Sequence, residues 1–215
     1  MLKLAIFDLD GTLLNALGDI EEACNYALVK NNLPVVETEK YRALLGRGRK
    51  KLIESLIPDE KNNEETVNKI LSHFNSYYGS HMMDKTIPYD GIVELLDDLN
   101  KNNIITAIVS NKPHEFTKII VKHYFGDKIK VVFGQRRGFD IKPNPDTVLE
   151  VIKILDVEQN ECIYIGDTEI DIMTAKNANI KSIGVLWGYR SLKDLEGADY
   201  IASTTDELKN IIINN

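Results

Sequence analysis

The chain is predicted to fold as a parallel α/β sheet with helices on both faces, interrupted after its first strand by a helical insert. Three observations predict this. The run Leu4-Ala5-Ile6-Phe7 is continuously apolar, brief and closed by Asp8, Asp10 and Gly11, as a buried strand would be. From Ile92 onward, short apolar runs alternate with stretches whose apolar residues recur at helical spacing. Between these regions, from Leu13 to about Met83, only the helical spacing is found.

The first strand sets up the chemistry. In an extended chain, residues i and i+2 point the same way, so Asp8 and Asp10 would face one spot at the strand's end. Two crowded carboxylates repel unless a cation sits between them, which suggests a hard divalent ion with oxygen ligands, Mg²⁺ above all. The plainer alternative is an Asp10-Gly11 turn ahead of a helix, which leaves Asp8 without a purpose.

The insert follows. Ile20, Ala23, Cys24, Ala27 and Leu28 mark one helix, and Val67, Ile70, Leu71, Phe74 and Tyr78 another. Asn31-Asn32-Leu33-Pro34 stops the first and Pro58 a later one. The predicted division is residues 1–14 and 86–215 for the α/β core and residues 15–85 for the helical domain.

Pro88, Asp90 and Gly91 mark the return to the sheet. A helix through Ile92, Leu95, Leu96 and Leu99 leads to a predicted strand at 104–109. A helix through Phe116, Ile119, Ile120 and Tyr124 leads to a strand at 131–133. A third, through Val148, Val151, Ile152 and Leu155, leads to a strand at 162–165. A fourth, at 169–178, leads to a strand at 183–187, with a weak last strand at 200–202. Strands and helices in this alternation specify a Rossmann-like sheet.

Composition narrows the partners. The chain has 215 residues, 43% hydrophobic and 27% charged, and a net charge of −7, ordinary for a globular protein and unlike a general nucleic-acid binder. An acidic chain can still hold a small anion in a local basic pocket. Cys24 and Cys162 are too few for a disulfide framework and are read as reduced core residues. No apolar run reaches the length of a membrane span, and Leu2-Lys3-Leu4 has no signal-peptide layout, so the expected location is cytoplasmic.

Sheets of this kind work in the crevice beyond the carboxyl ends of their strands. Read in turn, those ends are Asp8 with Asp10, then Ser110-Asn111, then Gly166-Asp167-Thr168. Each has a structural alternative. Ser110 suits a helix N-cap before Lys112-Pro113, and Asp167 suits a cap for the helix at 169–178, with Asp171 one turn on. Their convergence on one sheet edge favours a site. Lys142, held extended by Pro143, would bring positive charge to the same edge, where a solvated loop lysine is the alternative.

Asp8-Leu9-Asp10-Gly11-Thr12-Leu13, Ser110-Asn111-Lys112, Lys142-Pro143-Asn144-Pro145 and Gly166-Asp167-Thr168-Glu169-Ile170-Asp171 together resemble the four ordered motifs of the haloacid dehalogenase superfamily, in particular its phosphoglycolate phosphatase-like group. The resemblance spans almost the whole chain and implies a small α-helical cap in the insert. It implies a nucleophile in Asp8, a general acid/base in Asp10, a phosphoryl-binding hydroxyl in Ser110 and a charge-neutralising lysine in Lys142. It places Thr12 and Asn111 on the substrate, and Mg²⁺ on Asp8, the Asp10 carbonyl and Asp167, with Asp171 assisting. An acid at Asp10 favours phosphoryl transfer over carbon–halogen cleavage, since it serves an alkoxide leaving group.

In the insert, Leu45-Gly46-Arg47-Gly48-Arg49-Lys50-Lys51-Leu52 resembles a substrate-specificity loop. Gly46 and Gly48 would let backbone approach a ligand, and Arg47, Arg49 or Lys50 would grip a carboxylate or second phosphate, with a solvated helix start as the alternative. Arg136 and Arg137 carry the same two readings. Asn15-Ala16 departs from the Asp-Ser of many relatives, which bears on substrate fit. The expected activity is a Mg²⁺-dependent phosphatase for a small phosphorylated metabolite, with 2-phosphoglycolate as the candidate, in a monomer or homodimer without nucleic-acid or membrane partners. A sugar-phosphate mutase, a pyrophosphatase, a phosphonate-cleaving enzyme with a Schiff-base lysine at Lys50 or Lys51, and a non-catalytic binding protein are the competing readings.

Overall fold

Every residue of the first strand, β1 (Leu4–Phe7), is buried, as its unbroken apolar run requires of a strand covered on both faces. The computed structural model describes residues 1–215, and the chain divides into two units: Met1–Asn15 with Pro88–Asn215, and Ala16–Ile87.

In the first unit, β1 is followed by the two-residue strand β2 (Leu14–Asn15), where the chain passes into the second unit. That unit holds α1 (Leu17–Lys30), α2 (Thr38–Leu44), α3 (Arg49–Leu56) and α4 (Glu64–His81). Its core is the apolar stripe predicted from spacing: Ile20, Ala23, Cys24, Ala27 and Leu28 of α1, and Val67, Ile70, Phe74 and Tyr78 of α4. α1 ends before Asn31 and the left-handed Asn32, as the Asn-Asn-Leu-Pro stop predicts. Asn63 caps α4 by accepting from Thr66 N. Buried Asp19 closes the unit, accepting from Lys85 N (2.9 Å), Thr86 N (2.8 Å) and Thr86 Oγ1 (2.6 Å). The carboxylate thus ties the first turn of α1 to the chain 66 residues later.

The chain returns through β3 (Ile87–Pro88) to α5 (Ile92–Lys101), β4 (Ile105–Pro113), α6 (His114–Phe125), β5 (Val131–Gln135) and α7 (Asp146–Leu155). β6 (Cys162–Gly166), α8 (Glu169–Asn177), β7 (Lys181–Val185), β8 (Tyr200–Ala202) and α9 (Thr205–Asn214) complete it. Six strands form one parallel sheet in the order β5-β4-β1-β6-β7-β8, with Phe7 level with Ile108 on one side and Ile165 on the other. This is the Rossmann-like α/β arrangement expected. Leu4, Ile6, Ala107, Val109, Cys162 and Tyr164 form one face of the sheet and pack with Val148, Val151 and Ile152 of α7 and Ala175 of α8. The alternating residues Ala5, Phe7, Ile108, Ile163 and Ile165 are fully buried too.

Three local expectations are corrected. Ser110 is not a helix N-cap: β4 continues to Pro113, with a register shift between Val109 and Pro113, and α6 starts only at His114. Pro113 disfavours helical backbone at Lys112, so the strand runs on to the proline. β7 lies two residues earlier than predicted and excludes Trp187. The C-terminal helix α9 was not expected, although Thr204 accepts from Glu207 N at 3.1 Å and buried Leu208 and Ile212 keep helical spacing.

Candidate active site

The site is built where β1 lies between β4 and β6. Chain order runs outward from β1 to β4 and β5, then resumes with β6 on β1's other side, and such a switch point opens a crevice at the carboxyl ends. Asp8 continues β1 by donating its N–H to Ile165 O at 2.9 Å, which sets its side chain at that edge. Asp167 and Asp171 arrive from the end of β6 and the first turn of α8, and ligand oxygens of Asp8, Asp167 and Asp171 all lie within 4.8 Å of one another.

Lys142 enters this cluster from the loop before α7. Its Nζ is 2.9 Å from Asp8 Oδ1 and donates to Asp171 Oδ1 at 2.6 Å and Tyr164 Oη at 3.0 Å. Tyr164, on the middle of β6, donates in turn to Val109 O at 2.7 Å. A buried tyrosine hydroxyl needs such a partner, which was the available sign that Tyr164 does more than fill the core. Asp171 divides its oxygens: Oδ1 takes Lys142, while Oδ2 takes Thr168 N (3.0 Å) and Thr168 Oγ1 (2.7 Å). Thr168 is therefore the cap of α8, and Asp171 the third residue of its capping box, where the sequence suggested Asp167 as cap. Asp167 instead accepts from Thr12 Oγ1 and Tyr189 N, both at 2.9 Å.

The electrostatics are unbalanced. Burial works against the Lys142 ammonium, yet Asp171 and Asp8 outweigh it and hold its pKa well above the usual lysine range. Burial, then Asp171 and Asp8, push Asp167 well above the usual carboxylate range. Asp171 is raised as well, chiefly by burial, with Lys142 opposing. Of these three buried carboxylates, only Asp8 and Asp171 are paired with the ammonium. Asp8 Oδ1, though at ion-pair distance from Lys142, is buried without an aligned hydrogen bond. An orphaned oxygen in an all-oxygen, net-negative cluster suits a hard divalent cation. Space there is tight, since a Cβ on Gly11, itself at φ +90°, would lie 2.3 Å from Asp167 Oδ2.

Asp10 stands apart from that trio. Both its carboxylate oxygens accept from Lys112 Nζ, at 2.9 and 2.7 Å. Lys112 stands in the Ser110-Asn111-Lys112 motif without a role assigned from the sequence; in the extended β4 it follows Ser110 by two. Ser110 is buried, and its Oγ accepts from Lys112 N at 3.3 Å, a bond that leaves the hydroxyl hydrogen to donate. Asn111, expected on the substrate, clamps the lysine loop: its Oδ1 accepts from Lys142 N at 2.8 Å and its Nδ2 donates to Lys142 O at 3.2 Å. Ser110, Asn111 and Lys142 line one small recess with Gly134. Thr12, also expected on the substrate, commits its hydroxyl hydrogen to Asp167 and its carbonyl to Trp187 Nε1.

The arginines differ from one another. Arg136 lies 3.7 Å over the Phe133 ring and 3.9 Å over Phe139, and pairs with Glu150, so it braces its loop. In the helical unit, Gly46 and Gly48 both have positive φ, as expected of a turn needing glycine, with Gly48 capping α3. Arg49 donates to Asn75 of α4, Lys50 lies 3.9 Å from Glu54 one turn on, and Arg47 is exposed.

An acidic centre with two buried lysines, Lys142 and Lys112, at the switch point of a parallel sheet, defines the chain as an α/β enzyme of the kind that handles small anions in that crevice. The comparisons agree with that class. The family model of haloacid dehalogenase-like hydrolases matches residues 5–185. A phosphoglycolate phosphatase of Colwellia psychrerythraea is 31% identical over 96% of this chain and 95% of its own. An N-acetylmuramic acid 6-phosphate phosphatase of Pseudomonas aeruginosa is 27% identical over 98% and 95%. Among solved structures, a candidate phosphoglycolate phosphatase from Lactobacillus delbrueckii subsp. bulgaricus superposes with a TM-score of 0.93 at 34% identity, covering 99% of both chains. The chain belongs to the haloacid dehalogenase-like hydrolases. It is a phosphatase of that family, a phosphoric monoester hydrolase. No helix is long and apolar enough to cross a membrane.

Proposed function

We propose that the protein hydrolyses a small phosphorylated metabolite, with 2-phosphoglycolate the first candidate, through a phosphoryl group carried on Asp8 and with Mg²⁺ as its metal. The observation that carries this reading is Asp8 itself, whose buried Oδ1 has no aligned hydrogen bond while Lys142 stands 2.9 Å away. A carboxylate so placed is poised as a nucleophile, with the neighbouring ammonium ready to offset charge on an incoming phosphoryl group.

One Asp8 oxygen attacks phosphorus as the ester P–O bond breaks, and the departing oxygen takes a proton from Asp10. Asp10, now a carboxylate, removes a proton from water as that water attacks phosphorus, releasing inorganic phosphate and restoring Asp8. Ser110 offers its hydroxyl hydrogen to a phosphoryl oxygen, and Lys142 offsets the group's charge while Asp171 and Tyr164 keep it in place. Asp8, Asp167 and the Asp10 carbonyl would hold Mg²⁺, which supplies further positive charge to the phosphoryl oxygens. Asp171 supports them through Lys142 and Thr168, since both its oxygens are engaged.

The substrate is assigned by likeness to the relatives named phosphoglycolate phosphatase. Its choice is assigned to the helical unit, by the resemblance of residues 45–52 to a specificity loop. Phosphate release from a metabolite panel, with and without Mg²⁺, tests the reading: 2-phosphoglycolate should be hydrolysed only with the metal. Asp8→Asn should lose turnover and keep the wild-type melting curve. An Asp8→Asn protein with undiminished turnover would remove Asp8 as nucleophile.

A further inference from the structure

We propose that Lys112 is a positioning residue for Asp10, fixing the carboxyl that exchanges protons with the leaving group and with water. The inference rests on the acid/base reading of Asp10 given above and extends it to a residue with no role so far. Three observations carry it. Lys112 Nζ donates to both Asp10 oxygens, at 2.9 and 2.7 Å, so it sets the rotation as well as the place of the carboxyl group. Its side chain is only 3% exposed, whereas that of Asp10 is 17% exposed, so the lysine is the buried anchor and the carboxyl the more accessible group.

The third observation is that the Lys112 backbone is immobilised from several directions. Lys112 N donates to Ser110 Oγ, the Thr117 hydroxyl is shared between Pro113 O at 2.9 Å and Lys112 O at 3.3 Å, and Gly134 approaches so closely that a Cβ there would lie 2.4 Å from Lys112 O. A solvated lysine needs no such seating, and burying an ammonium is costly unless it has a fixed partner. The strand-end segment therefore delivers three neighbours to three tasks. Ser110 serves the phosphoryl group, Asn111 clamps the Lys142 loop, and Lys112 holds the acid.

The consequence is a dependence on the leaving group. An alkoxide needs its proton as it departs, whereas p-nitrophenolate leaves without one. The readout is kcat/KM, which covers steps only through phosphoryl transfer to Asp8, so later hydrolysis common to both substrates does not enter. Asp10→Asn should lower kcat/KM for 2-phosphoglycolate by about 10²- to 10⁴-fold, and for p-nitrophenyl phosphate far less. Lys112→Met should lower the 2-phosphoglycolate value by at least about tenfold more than the p-nitrophenyl phosphate value. In the double variant, Lys112→Met should add nothing to the Asp10→Asn loss on 2-phosphoglycolate, because its effect passes through Asp10.

Equal losses on both substrates would overturn the inference and make Lys112 a ligand of the phosphoryl group or a mere strut. Multiplicative losses in the double variant would do the same. Should Lys112→Met fail to fold, Lys112→Gln keeps a donor near Asp10 without the charge, and the same comparison of substrates decides. If Asp10→Asn itself is insensitive to the leaving group, the acid/base reading of Asp10 fails first. If Asp10→Asn is sensitive and Lys112→Met is not, only the role of Lys112 falls.

Discussion

Asn111→Ala separates two roles that one residue could play. As a substrate ligand, its loss would raise KM and leave the fold alone. In the structure its amide spans the Lys142 peptide groups, with bonds of 2.8 Å to the N–H and 3.2 Å to the carbonyl, both in the normal range and both buried. Alanine leaves that N–H and that carbonyl without their partner. An unmade buried bond costs about 1–3 kcal/mol, so the pair predicts a destabilisation of about 2–6 kcal/mol. The loop they anchor carries the ammonium 2.9 Å from Asp8, and a displacement of about 1 Å at such a group lowers turnover by about 10²-fold. Asn111→Asp should also lose activity, since its second oxygen would face the Lys142 carbonyl. Denaturant unfolding and steady-state phosphate release measure the two effects. A raised KM at wild-type kcat and wild-type stability would refute the clamp.

Four further outcomes follow from other contacts. Asp167 and Asp171 have folded-state pKa values above their unfolded value of about 3.9, so the metal-free protein binds more protons folded than unfolded; its stability should fall as pH rises from there through those values. In chelator, the melting temperature of Asp167→Asn should therefore gain on wild type as pH rises. Added Mg²⁺ should stabilise wild type at pH 7, by about 2.7 kcal/mol at a hundred times its Kd, and leave Asp167→Asn unmoved; parallel pH curves would contradict this. Gly134→Ala should cost about 1–3 kcal/mol or more, because the new Cβ meets Lys112 O at 2.4 Å and Thr117 Oγ1 at 2.5 Å, and an unchanged melting temperature would show that the strands can part. Asp19→Ala should cost about 2–4 kcal/mol and speed hydrogen exchange at the Lys85 and Thr86 amides, and unchanged exchange there would argue against the tie.

The sheet was readable because its strands are buried on both faces and interrupted by amphipathic helices, so periodicity and burial say the same thing. Asp8 and Asp167 could be brought to one edge from strand ends, Asp171 from one turn along the following helix, and Lys142 from its proline-held loop, with its role supplied by the resemblance. The partners of these residues could not. Lys112 and Asn111 look like a helix start until Pro113 is weighed as a constraint on the residue before it. Thr12 and Asn111 look like substrate ligands until their side chains are seen engaged with Asp167 and the Lys142 backbone. Tyr164 is hidden in an apolar strand, and only its hydroxyl signals a polar neighbour. Such pairings depend on contacts 22 to 155 residues apart, which no local pattern encodes.

Asp171 has a consequence for how the protein can change. One oxygen seats the buried lysine and the other starts α8. In many enzymes a residue of the working centre can be traded away for a sturdier but idle protein. Here that trade is closed: asparagine surrenders an acceptor on one side or the other, and alanine surrenders both. A mutational screen that selects only for heat resistance should therefore retain Asp171 as faithfully as one that selects for turnover.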